Sequence, residues 1–222
     1  MPPREGAFAQ YIAMPEANLV EVPRGVPLAM AALAEPLAVG WHAARLALEA
    51  LHTAMERQAI VIGGGAIGLA AALALKAMDV EDITIVEPND LRRDFLIERC
   101  SQKAVAEAGG NFPLVIDAVG YAATRAAASA LATPGGVVVH VGLGEDTGGL
   151  DVRRMTLQEI TFIGTYAYSA EDFRDTAKAI FDGRLGALDW CDFRPLSDGF
   201  AAFQDLRAGN VAAPKIVLNP WG

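Results

Sequence analysis

The chain has 222 residues, 53% hydrophobic and 20% charged, which describes a packed core and excludes a disordered protein. Its net charge of −9, from 27 acidic and 18 basic residues with no Lys/Arg cluster, argues against a nucleic-acid partner. Two cysteines are too few for a disulfide scaffold or a structural zinc site; with no leader read at Met1–Gly6 and no apolar run of membrane length, the expectation is a cytoplasmic protein without a membrane partner.

Residues 7–26 read as short extended pieces. Phe8, Tyr11 and Ile12 form one apolar cluster, Leu19, Val20 and Val22 another, with Pro15 and Pro23 between and after. Pro27 is placed to open a helix, and Pro36 to restart it after a break at Glu35. Leu37, Trp41, Ala44, Leu48 and Leu51 then recur at helical spacing. An alternating pattern begins at Ala59: strand 59–62, helix 66–78, strand 83–86, helix 90–100, and a weak strand 103–105. It continues with strand 114–116, which ends at Asp117, and helix 122–132, stopped by Pro134-Gly135-Gly136. Strands 137–141 and 160–163, a helix 170–181, a short helix near 197–207 and an extended 215–218 complete the chain. Six continuous, β-branched strands with intervening helices predict an α/β fold, a doubly wound parallel sheet covered on both faces. The interval 106–113 is too short for a crossover helix, so either the third strand is misplaced or this half of the sheet is abbreviated.

The strand 59–62 runs into Gly63-x-Gly65-x-x-Gly68, and a helix-forming run follows at once. In a dinucleotide turn Gly63 permits the tight bend, Gly65 lets the backbone approach a pyrophosphate, and Gly68 lets the helix lie close to the sheet. Ala66 and Ile67 open that helix, whose free N–H groups favour phosphate. Glu87 lies nineteen residues beyond Gly68, after the second strand, where a carboxylate can accept from the ribose hydroxyls and select NAD over NADP. The simpler reading of Glu87 is a solvated charge at a strand end. Arg92 and Arg93 are placed to reach a 2′-phosphate and weigh the other way. At the ends of later strands, Ala118, Gly120, Val141 and Gly142 are expected to line the nicotinamide half, with Gly144 a plain loop glycine.

Groups for the chemistry are fewer. The three histidines are His42, His52 and His140. His42 would share a helix face with Glu35 if the helix ran through Pro36, but two ligands are not a zinc site. Alone, His42 reads as a partly buried histidine beside Trp41, His52 as a helix-end residue, and His140 as a hydrogen-bonded core histidine. No Cys-x-x-Cys, His-Glu-x-x-His or serine-elbow motif is present, and no catalytic residue is assigned.

Gly6-Ala7-Phe8-Ala9-Gln10-Tyr11, Glu35-Pro36-Leu37, His42-Ala43, the glycine turn and Ala213-Pro214-Lys215-Ile216-Val217-Leu218 together resemble the medium-chain, zinc-dependent alcohol/polyol dehydrogenases, in particular sorbitol and threonine dehydrogenases. The resemblance implies a Rossmann sheet with a remnant of a GroES-like catalytic domain. It divides the chain into a remnant and linker helix (1–50), an NAD-binding domain (51–195) and a C-terminal helix and strand returning to the catalytic domain (196–222). It implies hydride transfer between a secondary alcohol or polyol and NAD, zinc as a family cofactor, and a homo-oligomer. Glu35 takes the family's position of zinc ligand or near-ligand. The other ligands of both zinc sites would lie upstream of Gly6, so the resemblance implies a truncated chain lacking a complete metal site. The alternatives are an inactive nucleotide-binding protein and a zinc-independent enzyme of the quinone-reductase type.

Overall fold

The computed structural model describes residues 6–222. The reading of Met1–Glu5 as carrying no leader lies outside those residues. Residues 7–26 form no strand; they are open chain with one 3₁₀ turn, Glu16–Asn18. Helix α1 (Leu28–Ala31) follows Pro27 as expected. Helix α2 (Ala34–Ala50) takes Pro36 into its first turn, where a backbone N–H has no helical acceptor to lose. The break therefore falls at Ala32–Leu33, not at Glu35.

Six parallel strands follow: β1 (Gln58–Ile62), β2 (Asp82–Val86), β3 (Ala104–Val105), β4 (Phe112–Asp117), β5 (Ala132–His140) and β6 (Thr161–Gly164). Their order is β3-β2-β1-β4-β5-β6, so the chain reverses direction across the sheet between β1 and β4. The crossovers carry helices α3 (Ala66–Ala77), α4 (Asp90–Glu98), α5 (Ala122–Leu131) and α6 (Val152–Leu157). After β6 come α7 (Ala170–Phe181), β7 (Cys191–Pro195), α8 (Gly199–Ala208) and β8 (Lys215–Asn219), with β7 and β8 paired in a separate parallel sheet.

The unbroken apolar run of β1 is explained by its two faces. Ala59 and Val61 enter the core under α2, α3 and α7, with Leu37, Leu69 and Ile180. Ile60 and Ile62 enter the opposite core under α5 and α6, with Val115, Leu131 and Met155. Neither face meets water, so no polar alternation is tolerated.

One reading of the sheet needs correction, and one open alternative is decided. Pro134-Gly135-Gly136 does not stop the helix; α5 ends at Leu131 and β5 begins at once. The pairing slips there, from Phe112 opposite Ala132 to Leu114 opposite Val137, so the breaker residues form an irregularity within the strand. The brief link 106–111 is the abbreviated alternative, because β3 stands where it was placed. The link must cross three strand spacings, about 14 Å, and return five residues along the strand, about 17 Å. Its seven Cα steps from Val105 to Phe112 reach roughly 23–25 Å extended, just enough for the diagonal of about 22 Å and too little for a helix. Helix α6 and strand β7 have no counterpart in the sequence reading.

Candidate functional site

The glycine turn joins β1 to α3. Gly63 adopts φ +97° and donates its N–H to Val86 O at 2.8 Å, which anchors the bend to β2. A side chain on Gly68 would begin 1.8 Å from Gly63 O, so only glycine lets α3 start this close to the strand end. Gly65 is different: a Cβ there would meet no atom within 4 Å. Its outer side is open, it is the N-cap of α3, and no side chain caps the helix. The first N–H groups of α3, around Ala66 and Ile67, are thus left for an external acceptor, which is the arrangement a pyrophosphate requires.

Glu87 is not a solvated strand-end charge. It is 5% exposed, accepts Gly64 N–H at 3.0 Å on one oxygen, and accepts Asn89 N–H at 2.9 Å on the other. It therefore ties the glycine turn to the start of α4. A carboxylate offers about four acceptor positions, so two remain for ligand hydroxyls. Arg92 Nη1 lies 3.8 Å from the Gly64-bonded oxygen, and its Nε is buried without a partner. Arg93 instead caps local carbonyls, Glu87 O at 3.1 Å among them, and pairs with Asp90.

The loops after β4 and β5 lock together beside this turn. Ala118 N–H donates to Ile62 O at 3.0 Å, and Val141 and Gly142 both donate to Asp117 O. Gly120 and Gly142 lie backbone on backbone; a Cβ on Gly120 would sit 2.1 Å from Gly142 O. Gly144 is equally confined, against Tyr121 and Val119. Asp117, fully buried, accepts from Val119 N, Gly120 N and the Thr124 hydroxyl.

Arg125 is a residue that the sequence reading missed. It is 8% exposed and donates to four carbonyls, those of Gly120, Glu145, Thr147 and Gly148. It holds the 142–149 loop in register with the β4–α5 loop. The available signal was its position as the one charged side chain in the otherwise small and apolar Ala122–Leu131.

The histidines do not come together. His42 Nδ1 lies 2.8 Å from Asp172 on α7, His52 receives Ala54 N–H at the surface, and His140 stands at the end of β5. His140 is not the hydrogen-bonded core histidine expected: Nε2 has no hydrogen-bond partner and is 3.7 Å from Asp117. Glu35 and His42 do share α2, but Glu35 borders a cavity of about 450 Å³ with Tyr168, Phe173, Leu19 and Met14. Burial, then the Glu35 charge and hydrogen bond, raise the Tyr168 phenol above its ordinary pKa. Among the described residues, no group of three or more His, Cys, Asp and Glu side chains could hold a metal ion. The residues around Glu35 therefore do not fit a zinc site.

The profile of the zinc-binding dehydrogenase family matches residues 66–182. A Saccharomyces cerevisiae protein named for an (R)-acetoin-forming diacetyl reductase activity is 32% identical over 82% of this chain and 47% of its own length. The (R,R)-butanediol dehydrogenase of the same yeast is 27% identical over 97% of this chain and 61% of its own. The chain thus spans about half to three fifths of these relatives. A solved Escherichia coli CFT073 structure, described as a short chain alcohol dehydrogenase complexed with NADH, superposes with a TM-score of 0.80. It is 17% identical and covers 93% of this chain and 64% of its own.

Proposed function

Because the chain belongs to the zinc-binding dehydrogenase family, we propose that it holds NAD(H) as the cofactor part of an oxidoreductase acting on a secondary alcohol or polyol and its ketone. The observation that carries this is the turn Gly63–Gly68, open at Gly65 and braced by Glu87. The pyrophosphate would rest over Gly65 and the first N–H groups of α3. The free acceptor positions of Glu87 would take the adenosine ribose hydroxyls, favouring NAD, with Arg92 the group that moderates rejection of a 2′-phosphate. Ala118, Gly120, Val141 and Gly142 would form the wall toward the nicotinamide, held by Asp117 and Arg125. When bound, NAD supplies the hydride acceptor. The relatives' names, a butanediol dehydrogenase and a diacetyl reductase, favour an alcohol–ketone pair over a quinone.

No step is assigned through zinc. The cavity beside Glu35 favours a second reading, nucleotide binding without turnover, since Tyr168 rather than further metal donors faces it. The two free cysteines support a cytoplasmic setting, and none of the described helices is long and apolar enough to cross a membrane. The exposed aromatic side chains of residues 6–14 support a homo-oligomer.

Titration with NADH, followed by nicotinamide fluorescence, tests the cofactor reading. The wild-type chain should bind saturably and prefer NADH to NADPH. Gly65→Val, which points a side chain into the open side of the turn, should abolish binding without altering the fold. Absence of binding by the wild-type chain would refute the reading. Oxidation of 2,3-butanediol with added zinc then separates the enzyme from the nucleotide-binding protein.

A further inference from the structure

We propose that a cavity of about 470 Å³ at the amino-terminal ends of β2 and β3 binds a small organic oxyanion, a phosphate ester or a carboxylate. It lies at the far end of α3 from the glycine turn: Lys76, on its rim, is ten residues along the helix from Ala66, about 15 Å. It is therefore a second site, and its existence does not depend on the cofactor reading.

Three cations border this cavity, Lys76, Arg99 and Arg184. Among the described residues, none of them has a carboxylate within ion-pair distance. That runs against the composition, since 27 acidic residues outnumber 18 basic ones in this chain. Two of the three charges are already held in place. The Arg184 guanidinium lies 5.5 Å from the Trp41 ring centroid and donates to Ala77 O at 2.6 Å; that of Arg99 lies 5.9 Å from the Phe95 ring centroid. Preset charges cost less to organise around a ligand than mobile ones.

Trp190 also borders the cavity. It is 3% exposed, and its indole Nε1 is buried with no acceptor. That nitrogen is closed off from solvent, so Trp190 gives the cavity ring surface as part of its wall and no hydrogen bond to a ligand. Glu81 and Asp189 stand on the rim as well and leave a formal surplus of one positive charge, which suits a ligand of one or two negative charges. The volume lies within the range of small-molecule sites, about 300–1,000 Å³, and is far larger than an inorganic ion needs.

Isothermal titration of the whole chain with glucose 6-phosphate and with succinate, at constant ionic strength, tests the proposal. At least one should bind saturably, and the stronger of the two identifies the phosphate-ester or the carboxylate source. Lys76→Gln and Arg99→Gln should each weaken it about tenfold, as loss of one charge-assisted contact implies. Trp190→Phe should weaken it less, and Arg153→Gln, on α6, should leave it unchanged. Circular-dichroism melts show that each variant is folded, and NADH titrated in parallel reports the other site separately. Failure of both ligands to bind, or binding unaltered in Lys76→Gln and Arg99→Gln, would overturn the proposal.

Discussion

Asp172 gathers more bonds than any cap requires. Its oxygens accept from Ser169 N at 3.0 Å, Ser169 Oγ at 2.6 Å and Arg45 Nε at 2.7 Å, with His42 Nδ1 at 2.8 Å. It closes the capping box of α7 and pins that helix to α2. Burial alone would raise its pKa; Arg45 and Ser169 outweigh that and hold the carboxyl well below the usual carboxylate range. A folded-state pKa depressed in this way adds stability that is complete above the unfolded value of about 3.9 and fades as pH falls through the folded one. Asp172→Asn should lose roughly 2–4 kcal/mol at neutral pH. Between about pH 5 and about pH 3 its stability should then decline less than that of the wild type, as urea unfolding at the two pH values will read. A variant that matches the wild type at neutral pH would show that the pin does not hold the helices.

Helices α2 and α3 are pressed together through small side chains. A Cβ on Gly40 would stand 2.4 Å from Ala70 C and Ala71 N, both backbone atoms that cannot rotate aside. Ala43, Ala44 and Ala47 on one side and Ala70, Ala71 and Ala74 on the other are all buried at this crossing. Gly40→Ala should therefore destabilise the fold by about 1–3 kcal/mol, against the gain in helix propensity normally expected of that change; thermal unfolding gives the sign directly. Such a requirement is only partly written in the sequence. The Gly63–Gly68 turn was legible because its backbone needs appear as glycines at fixed spacing next to a strand. Helix α7 was placed at 170–181 from the sequence, the bounds the structure shows, but its Ser169–Asp172 cap was not foreseen. Strand β7 was not, because Cys191–Pro195 carries Asp192, Arg194 and Pro195, and is specified by pairing with β8 some twenty residues later. Strand β5 was misread because Pro-Gly-Gly ordinarily ends an element, while here β4 and β5 absorb it in a slipped register. The role of Arg125 was invisible for a related reason: three of its four partners are carbonyls of a loop twenty or more residues on, and carbonyls have no letter in a sequence.

At the scale of the whole molecule, apolar surface collects where the N-terminal segment crosses the C-terminal units. Phe8 meets Phe203 edge-on at 6.0 Å, and Tyr11 meets Trp221 at 5.6 Å, yet these four side chains remain 54–82% exposed. A net charge of −9 opposes self-association, and screening it should release that tendency. Light scattering should show the mass rising above 23.4 kDa with protein concentration, and more so at high salt. Phe8→Ser with Trp221→Ser should suppress that rise and leave the thermal midpoint almost unchanged. An equal rise in the double variant would place the association elsewhere on the surface.

The helix-free link before β4 leaves β3 as a two-residue edge strand, yet β3 supplies the acceptors for Ile85 N–H and Glu87 N–H, from Lys103 O and Val105 O at 2.9 Å. An edge held by so few bonds opens locally at a small free-energy cost, far below global unfolding. Each opening loosens Glu87, and through its oxygen the Gly64 amide. In hydrogen exchange the Ile85 and Glu87 amides should therefore exchange sooner than those of Ile60 and Val115 at the centre of the sheet. NADH should slow the two fast amides selectively, making the rim of the sheet a reporter for occupancy of the turn.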